Sequence, residues 1–243
     1  MTKEIVVCLG SSTTAARGTL NWIKELEKRP QNNKFHYINS GVGGDLTYNA
    51  LQRLPKVISL HPDKVIILIG ANDILASVFK NAHRFFIGWK HLPSEPSPSW
   101  FHQNLQKIVK ELKSKTSAKI AIASLAQVGE DPNSKDPAQQ KLNTLFEEYS
   151  QIIRDIATQE HVSYIPFYEE FHKAIVASPG RAFTKFSFLS FYRDYILREY
   201  ILRHSFDEIA KMNGWKYHID GVHLNTLGGL LLTNLVQEFL DKK

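Results

Sequence analysis

The 243-residue chain has one cysteine, Cys8, so no intramolecular disulfide can form and no thiolate set for zinc exists. Long apolar runs are also missing. Ile5–Leu9 follows the acidic Glu4 and is too short for a secretory leader. The longest later run, Val65–Ala71, falls far below the length that spans a bilayer. A cytoplasmic protein without a transmembrane segment is the expectation. Charge of one sign is nowhere concentrated. The 30 basic and 24 acidic residues leave a net charge of +6, but they are mixed along the chain, without the basic stripe of a nucleic-acid binder. His61, His83, His91, His102 and His218 show no HExxH-like spacing, and no Gly-Lys-Ser/Thr follows a glycine-rich loop. No metal or cofactor is assigned, and nucleic acid is not an expected partner. Internal repeats and low-complexity tracts are absent.

What is present is a set of short apolar runs alternating with helical patterns, which predicts a parallel sheet covered on both faces. The strand candidates are Glu4–Leu9, Lys34–Asn39, Lys64–Ile69, Ala118–Ser124 and His161–Ile165, and β-branched residues dominate their cores. Leu105, Ile108, Val109 and Leu112 recur at helical spacing, as do Leu142, Leu145, Phe146, Tyr149, Ile152, Ile153 and Ile156. Leu227, Leu231, Leu235, Val236 and Phe239 predict a closing helix, with Asn225-Thr226 as its cap. Residues 91–99 and 129–137 read as loops. Apolar residues make up 43% of the chain, enough for one substantial core. The expected fold is a three-layer α/β/α flavodoxin-like sandwich in a single domain, residues 1–243, with a central parallel sheet of about five strands. Residues 171–217 form an aromatic-rich helical insertion (Phe183, Phe186, Phe188, Phe191, Tyr192, Tyr195, Tyr200, Phe206, Trp215) interleaved with Arg181, Lys185, Arg193, Arg198 and Arg203. It reads as a helical hairpin packed on the core, or as a lid or acyl pocket.

Four segments carry chemistry. Ser12, in Gly10-Ser11-Ser12-Thr13-Thr14, follows the first strand and precedes the Ala15-Ala16 start of a helix. A serine on such a turn faces the crevice at the carboxyl end of the sheet, near the N–H groups of a helix start. Helix capping would explain a Ser/Thr cluster equally. Asp220-Gly221-Val222-His223 can set a carboxylate against the imidazole Nδ1–H, fixing the tautomer so that Nε2 is the base. The competing reading is an Asp-capped turn with an incidental histidine. Gly70-Ala71-Asn72-Asp73 ends the third strand and can aim the Asn72 amide at the same crevice. Asn39 to Asp45 is a glycine-rich loop after the second strand, where a backbone N–H can approach a ligand closely. Asp45 and Asp73 read as loop aspartates that bind local backbone amides.

In this chain order the four segments resemble the blocks of the SGNH hydrolase (GDSL-like esterase and lipase) superfamily, over nearly the whole chain. The resemblance implies a carboxylic ester hydrolase with Ser12 as nucleophile, His223 as base and Asp220 as its orienting partner. It also implies an oxyanion hole from the Ser12 and Gly44 amides and the Asn72 side chain, and a small-molecule ester or lipid-like substrate. The serine block departs from the pattern, with Ser11 where the family usually has aspartate. Ser11 and Ser12, and likewise Gly43 and Gly44, are neighbours that compete for one role; the block patterns favour Ser12 and Gly44. A noncatalytic ligand-binding module on the same fold and an acyltransferase using the same serine are the alternatives.

Overall fold

The computed structural model of the protein describes residues 2–180 and 201–242. Five parallel strands, β1 (Glu4–Gly10), β2 (Phe35–Gly41), β3 (Lys64–Leu68), β4 (Lys119–Ala123) and β5 (Ser163–Ile165), form one sheet in the order β2-β1-β3-β4-β5. Val6, Val7, Cys8 and Leu9 are fully buried. Successive side chains of a strand point to opposite faces, so their burial shows that both faces of β1 are covered. Cys8 is accordingly a small core residue, and burial pushes its thiol far up from its ordinary range.

The helices that matter for the site are short near the sheet's carboxyl edge and long behind it. In chain order they are α1 (Ser12–Ala15), α2 (Trp22–Glu27), α3 (Thr47–Gln52), α4 (Leu54–Ile58), α5 (Ala71–Val78), α6 (Lys80–Lys90), α7 (Pro98–Lys115), α8 (Pro137–Gln159), α9 (Phe167–Ala177), α10 (Phe206–Asn213) and α11 (Thr226–Asp241). The apolar stripe expected for α7 is buried, as is that of α8 except for the half-buried Leu145 and Ile152, and these helices pack on each other and on β4. In α11, Leu235, Val236 and Phe239 are buried against the core, and the helix packs on α2 and β5. Leu227 does not belong to that stripe: it sits in the first turn and is 48% exposed. The Asn225 side chain caps α11 as expected, accepting from the Gly228 amide at 3.1 Å.

Several boundaries differ from the sequence reading, and β2 runs on through Gly41, so the loop expected over Asn39 to Asp45 begins as strand. The strand predicted over His161–Ile165 is confined to its last three residues, because His161 adopts a left-handed conformation (φ 53°) in the turn that closes α8. The helix after β1 does not begin at Ala15-Ala16; it ends there, with Ala16 in the left-handed region. Residues 171–217 are described only in part. α9 reaches into its start and α10 lies near its end, whereas Arg181, Phe183, Lys185, Phe186, Phe188, Phe191, Tyr192, Arg193, Tyr195, Arg198 and Tyr200 lie outside the described residues. No helix among the described residues is long and apolar enough to cross a membrane.

Candidate active site

The chain runs from β1 to β2 on one side and then to β3 on the other, so the strand order reverses at the β1/β3 boundary. Ligands of doubly wound sheets bind at such a point, beyond the carboxyl ends of the strands. Ser12 leaves β1 there and Asn72 leaves β3. Ser11 is the N-cap of α1 but its side chain makes no capping hydrogen bond. The serine pair is therefore not explained as a helix cap. Ser12 is half-buried in the first turn, where helix N–H groups have no intrahelical acceptor. α1 is only one turn long, so its dipole adds little to those amides.

The glycine loop is sewn to α1 on one side and to Asn72 on the other. Val42 N donates to Gly10 O at 3.1 Å, and Asn39 Nδ2 donates to Thr14 O at 2.7 Å. Gly44 takes φ +74°, a conformation that costs other residues a steric penalty; Gly43 shows no such requirement. Asn72 Nδ2 donates to Asp45 O at 2.9 Å. An amide nitrogen carries two hydrogens, so this bond aims the group beside Gly44 and uses one of them.

Asp45 is not a local turn aspartate. Its buried carboxylate lies between Arg53 Nε at 2.7 Å and Lys90 Nζ at 2.8 Å. Arg53 in turn donates to Ser40 O at 3.1 Å and Gly10 O at 3.3 Å, and Lys90 donates to Gly43 O at 2.8 Å. Arg53 thereby links the Asp45 carboxylate to the end of β1, just before Ser11. Asp73 is likewise no loop residue. It lies buried in the first turn of α5 and accepts from the amide of Thr47, at 3.1 Å, and from its hydroxyl, at 3.2 Å. It caps α3 from a distance and ties the start of that helix to the helix that bears Asn72.

Burial pushes the Asp73 carboxyl up to about 7, against the two Thr47 hydrogen bonds. The raised value means that the folded chain keeps a proton that the unfolded chain releases above its ordinary carboxylate value. The resulting stabilisation is complete below about pH 4 and is lost as pH rises through about 7, on the order of 4 kcal/mol in total. Asp73→Asn cannot titrate. Urea unfolding across this window is expected to show the variant gaining a few kcal/mol on the wild type. A gap independent of pH would contradict this account of Asp73.

Asp220 and His223 meet in one turn. Asp220 Oδ1 accepts from the amides of Val222 at 2.9 Å and His223 at 2.8 Å, and Oδ2 lies 2.8 Å from His223 Nδ1. Gly221 makes the turn with φ +90°. Burial pushes the Asp220 carboxyl up, but the charge and hydrogen bond of His223, with the two amides, outweigh it and hold the group at about 2. An ionised carboxylate can only accept, so Nδ1 carries the proton and Nε2 is the basic nitrogen of the neutral ring. The turn is the tip of a small hairpin closed by an antiparallel bridge between His218 and Leu224. Thr19 Oγ1 donates to Leu224 O at 2.9 Å and Leu20 N donates to the same oxygen at 3.1 Å, which fastens the hairpin to the segment just after α1.

A second histidine–carboxylate pair, unsuspected from the sequence, anchors the hairpin base. Glu130 and His218 both have fully buried side chains, 2.9 Å apart. Glu130 Oε1 also accepts from Tyr217 N at 2.7 Å and His218 N at 2.8 Å, and Oε2 accepts from Lys216 N at 2.8 Å. Burial raises the Glu130 carboxyl, yet the His218 bond and charge and the amides bring it below its ordinary value. His218 Nε2 faces Gln127 O at 3.1 Å, and Gly129 N donates to Gly221 O at 2.8 Å. The β4–α8 loop therefore grips the Asp220–His223 turn directly. Among the described residues no cluster of His, Cys, Asp and Glu is suited to hold a metal ion.

The serine turn and Asn72 follow adjacent strands at this switch point, and the Asp220–His223 hairpin is fastened to the segment just after α1. The chain belongs to the GDSL-like Lipase/Acylhydrolase family, whose pattern matches residues 8–228, and it is a carboxylic ester hydrolase. Comparison with curated protein sequences gave no match. Among solved structures, the acetyl xylan esterase AlAXEase is similar over 97% of this chain and 99% of its own, with 19% identity and a TM-score of 0.62. An acetylxylan esterase from Geobacillus stearothermophilus covers 100% and 96%, at 16% identity and a TM-score of 0.66. That esterase has also been solved as two catalytic mutants, one altered at a serine and one at an aspartate. A protein described as a GDSL-like lipase from Parabacteroides merdae covers 98% and 96%, at 17% identity and a TM-score of 0.64.

Proposed function

We propose that the protein cleaves carboxylic esters through an acyl-enzyme on Ser12, acting in the cytoplasm on a small-molecule ester. The observation that carries this reading is the Asp220–His223 pair, an ionised carboxylate 2.8 Å from Nδ1 on a hairpin fastened to the segment after the Ser12 helix. Ser12 Oγ attacks the ester carbonyl while His223 Nε2 accepts its proton. The tetrahedral intermediate collapses, His223 returns the proton to the departing alkoxide, and the alcohol leaves. Water then attacks the acyl-enzyme with His223 again as base, which releases the acid and restores Ser12. Asp220 stays ionised throughout and offsets the positive charge on the imidazolium. The Ser12 and Gly44 amides and the Asn72 side chain donate to the oxyanion.

Asn72 gives the geometric test. Its amide is already oriented by Asp45 O, so it needs no reorganisation when the oxyanion forms. Removing one preorganised donor costs roughly 2.7–4 kcal/mol in the transition state. Hydrolysis of 4-nitrophenyl acetate by Asn72→Ala is expected to show kcat lowered by about two to three orders of magnitude. Turnover within a few fold of wild type would remove Asn72 from the oxyanion hole. Specific ligand binding by the wild type, with no turnover of any ester, would favour the noncatalytic module instead.

A further inference from the structure

His218 stands at the base of the hairpin whose tip carries Asp220 and His223, and both of its ring nitrogens face oxygen. Nδ1 lies 2.9 Å from Glu130 Oε1, and Nε2 lies 3.1 Å from the backbone oxygen of Gln127. A backbone carbonyl can only accept, so Nε2 carries a hydrogen. Glu130 takes two backbone amides on Oε1 and a third on Oε2, a donor set that favours the ionised carboxylate. An ionised carboxylate also only accepts, so Nδ1 carries a hydrogen as well. The side chain is fully buried, and the rings of Phe171 and Trp215 meet it edge-to-face at 5.1 and 6.1 Å between centroids. Other titratable side chains around it are engaged elsewhere. Tyr217 donates to Ala174 O at 3.0 Å, Lys216 Nζ donates to Ser178, and His172 Nδ1 bonds the Gln127 side chain at 2.9 Å.

We propose that His218 is a buried imidazolium and that, paired with Glu130, it is a positioning residue for His223. The inference rests on the reading of His223 as the base of an ester hydrolase and adds the group that fixes where that base stands. A neutral imidazole has a single N–H and would set a nitrogen lone pair against either Glu130 Oε1 or Gln127 O. The charged ring satisfies both, and so joins the hairpin to the β4–α8 loop at two residues. From there the path to His223 is short. Ile219 N, the next amide after His218, donates to His223 O at 2.7 Å, and Asn225 N donates to Tyr217 O at 3.0 Å. The same loop grips the tip through Gly129 N, which donates to Gly221 O at 2.8 Å. A buried ion pair adds little net stability over an apolar pair of the same shape. What this one supplies is a fixed place for the turn that bears the base.

Nitrogen NMR of the ring reads the charge state without any turnover. In isotope-labelled wild type at neutral pH, both His218 ring nitrogens are expected to resonate as N–H. One unprotonated nitrogen, or an average between the two forms, would overturn the proposal. Positioning is read in folded His218→Gln. The downfield proton of the His223 Nδ1–H···Asp220 bond, observed in wild type, is expected to broaden or vanish in the variant. For 4-nitrophenyl acetate, kcat should fall about ten- to a hundredfold with KM little changed. The same substitution added to His223→Ala should cause no further loss, because the residual turnover no longer uses the base. An equal loss in both backgrounds, or an unchanged His223 proton, would make His218 a support of the fold alone and overturn the proposal. Glu130→Gln, which keeps the shape of the pair, is expected to change the same proton and serves where His218→Gln does not fold. Wild type that hydrolyses no ester would end the hydrolase reading, while the two NMR readouts would still decide on His218.

Discussion

Ser12→Ala is expected to lower kcat for ester hydrolysis by about four to six orders of magnitude, with KM changed far less. The nucleophile, its base and the partner of that base act as a unit. His223→Ala should therefore fall to a similar level, and the double variant should be no worse than either single one. Activity that remains comes from the oxyanion donors and from binding. The choice of Ser12 over Ser11 follows from position. Ser12 is the first helical residue after β1 and half-buried, whereas Ser11 is buried beneath it and its carbonyl accepts from Ala15 N at 2.9 Å. Steady-state kinetics of Ser11→Ala beside Ser12→Ala separates the two. Loss of turnover confined to Ser11→Ala would move the nucleophile by one residue.

Glu130→Ala is expected to destabilise the fold by about 3–5 kcal/mol, because it leaves a buried histidine, two buried backbone N–H groups and a partly buried third without their acceptor. Glu130→Gln keeps the shape and one oxygen, but its amide nitrogen cannot accept from the amides, so an intermediate loss of about 1–3 kcal/mol is expected. Urea unfolding at neutral pH measures both. The same contacts hold Lys216, Tyr217 and His218 at the base of the hairpin whose tip carries Asp220 and His223. Folded Glu130→Gln should therefore also turn over more slowly than wild type. A variant as stable as wild type would mean that Glu130 does not clamp the hairpin.

Much of the fold was legible because a parallel sheet buried on both faces writes itself as short apolar runs. Val65 to Ile67 and Ile120 to Ala123 could hardly be anything else. The candidate site was legible for a related reason. In a doubly wound sheet the chemistry gathers at strand ends, so Ser12, Gly44 and Asn72 each follow a recognisable strand. Asp220 and His223 lie three residues apart, within reach of a single turn. What stayed hidden depends on partners far apart in the chain. Glu130 stands in a polar loop between Gly129 and Asp131 and reads as a solvated charge; its partner is 88 residues away. Asp73 reaches Thr47 across 26 residues, and Lys90 reaches Asp45 across 45. No periodicity marks such pairs.

The central claim, an activated serine at position 12, is tested most directly by covalent labelling. Wild type and Ser12→Ala are treated with a fluorophosphonate probe and analysed by intact and peptide mass spectrometry. A single adduct on the peptide bearing Ser12, absent from the folded variant, is the predicted result. Wild-type protein that is folded yet takes up no probe, or labelling that persists unchanged in Ser12→Ala, would contradict it.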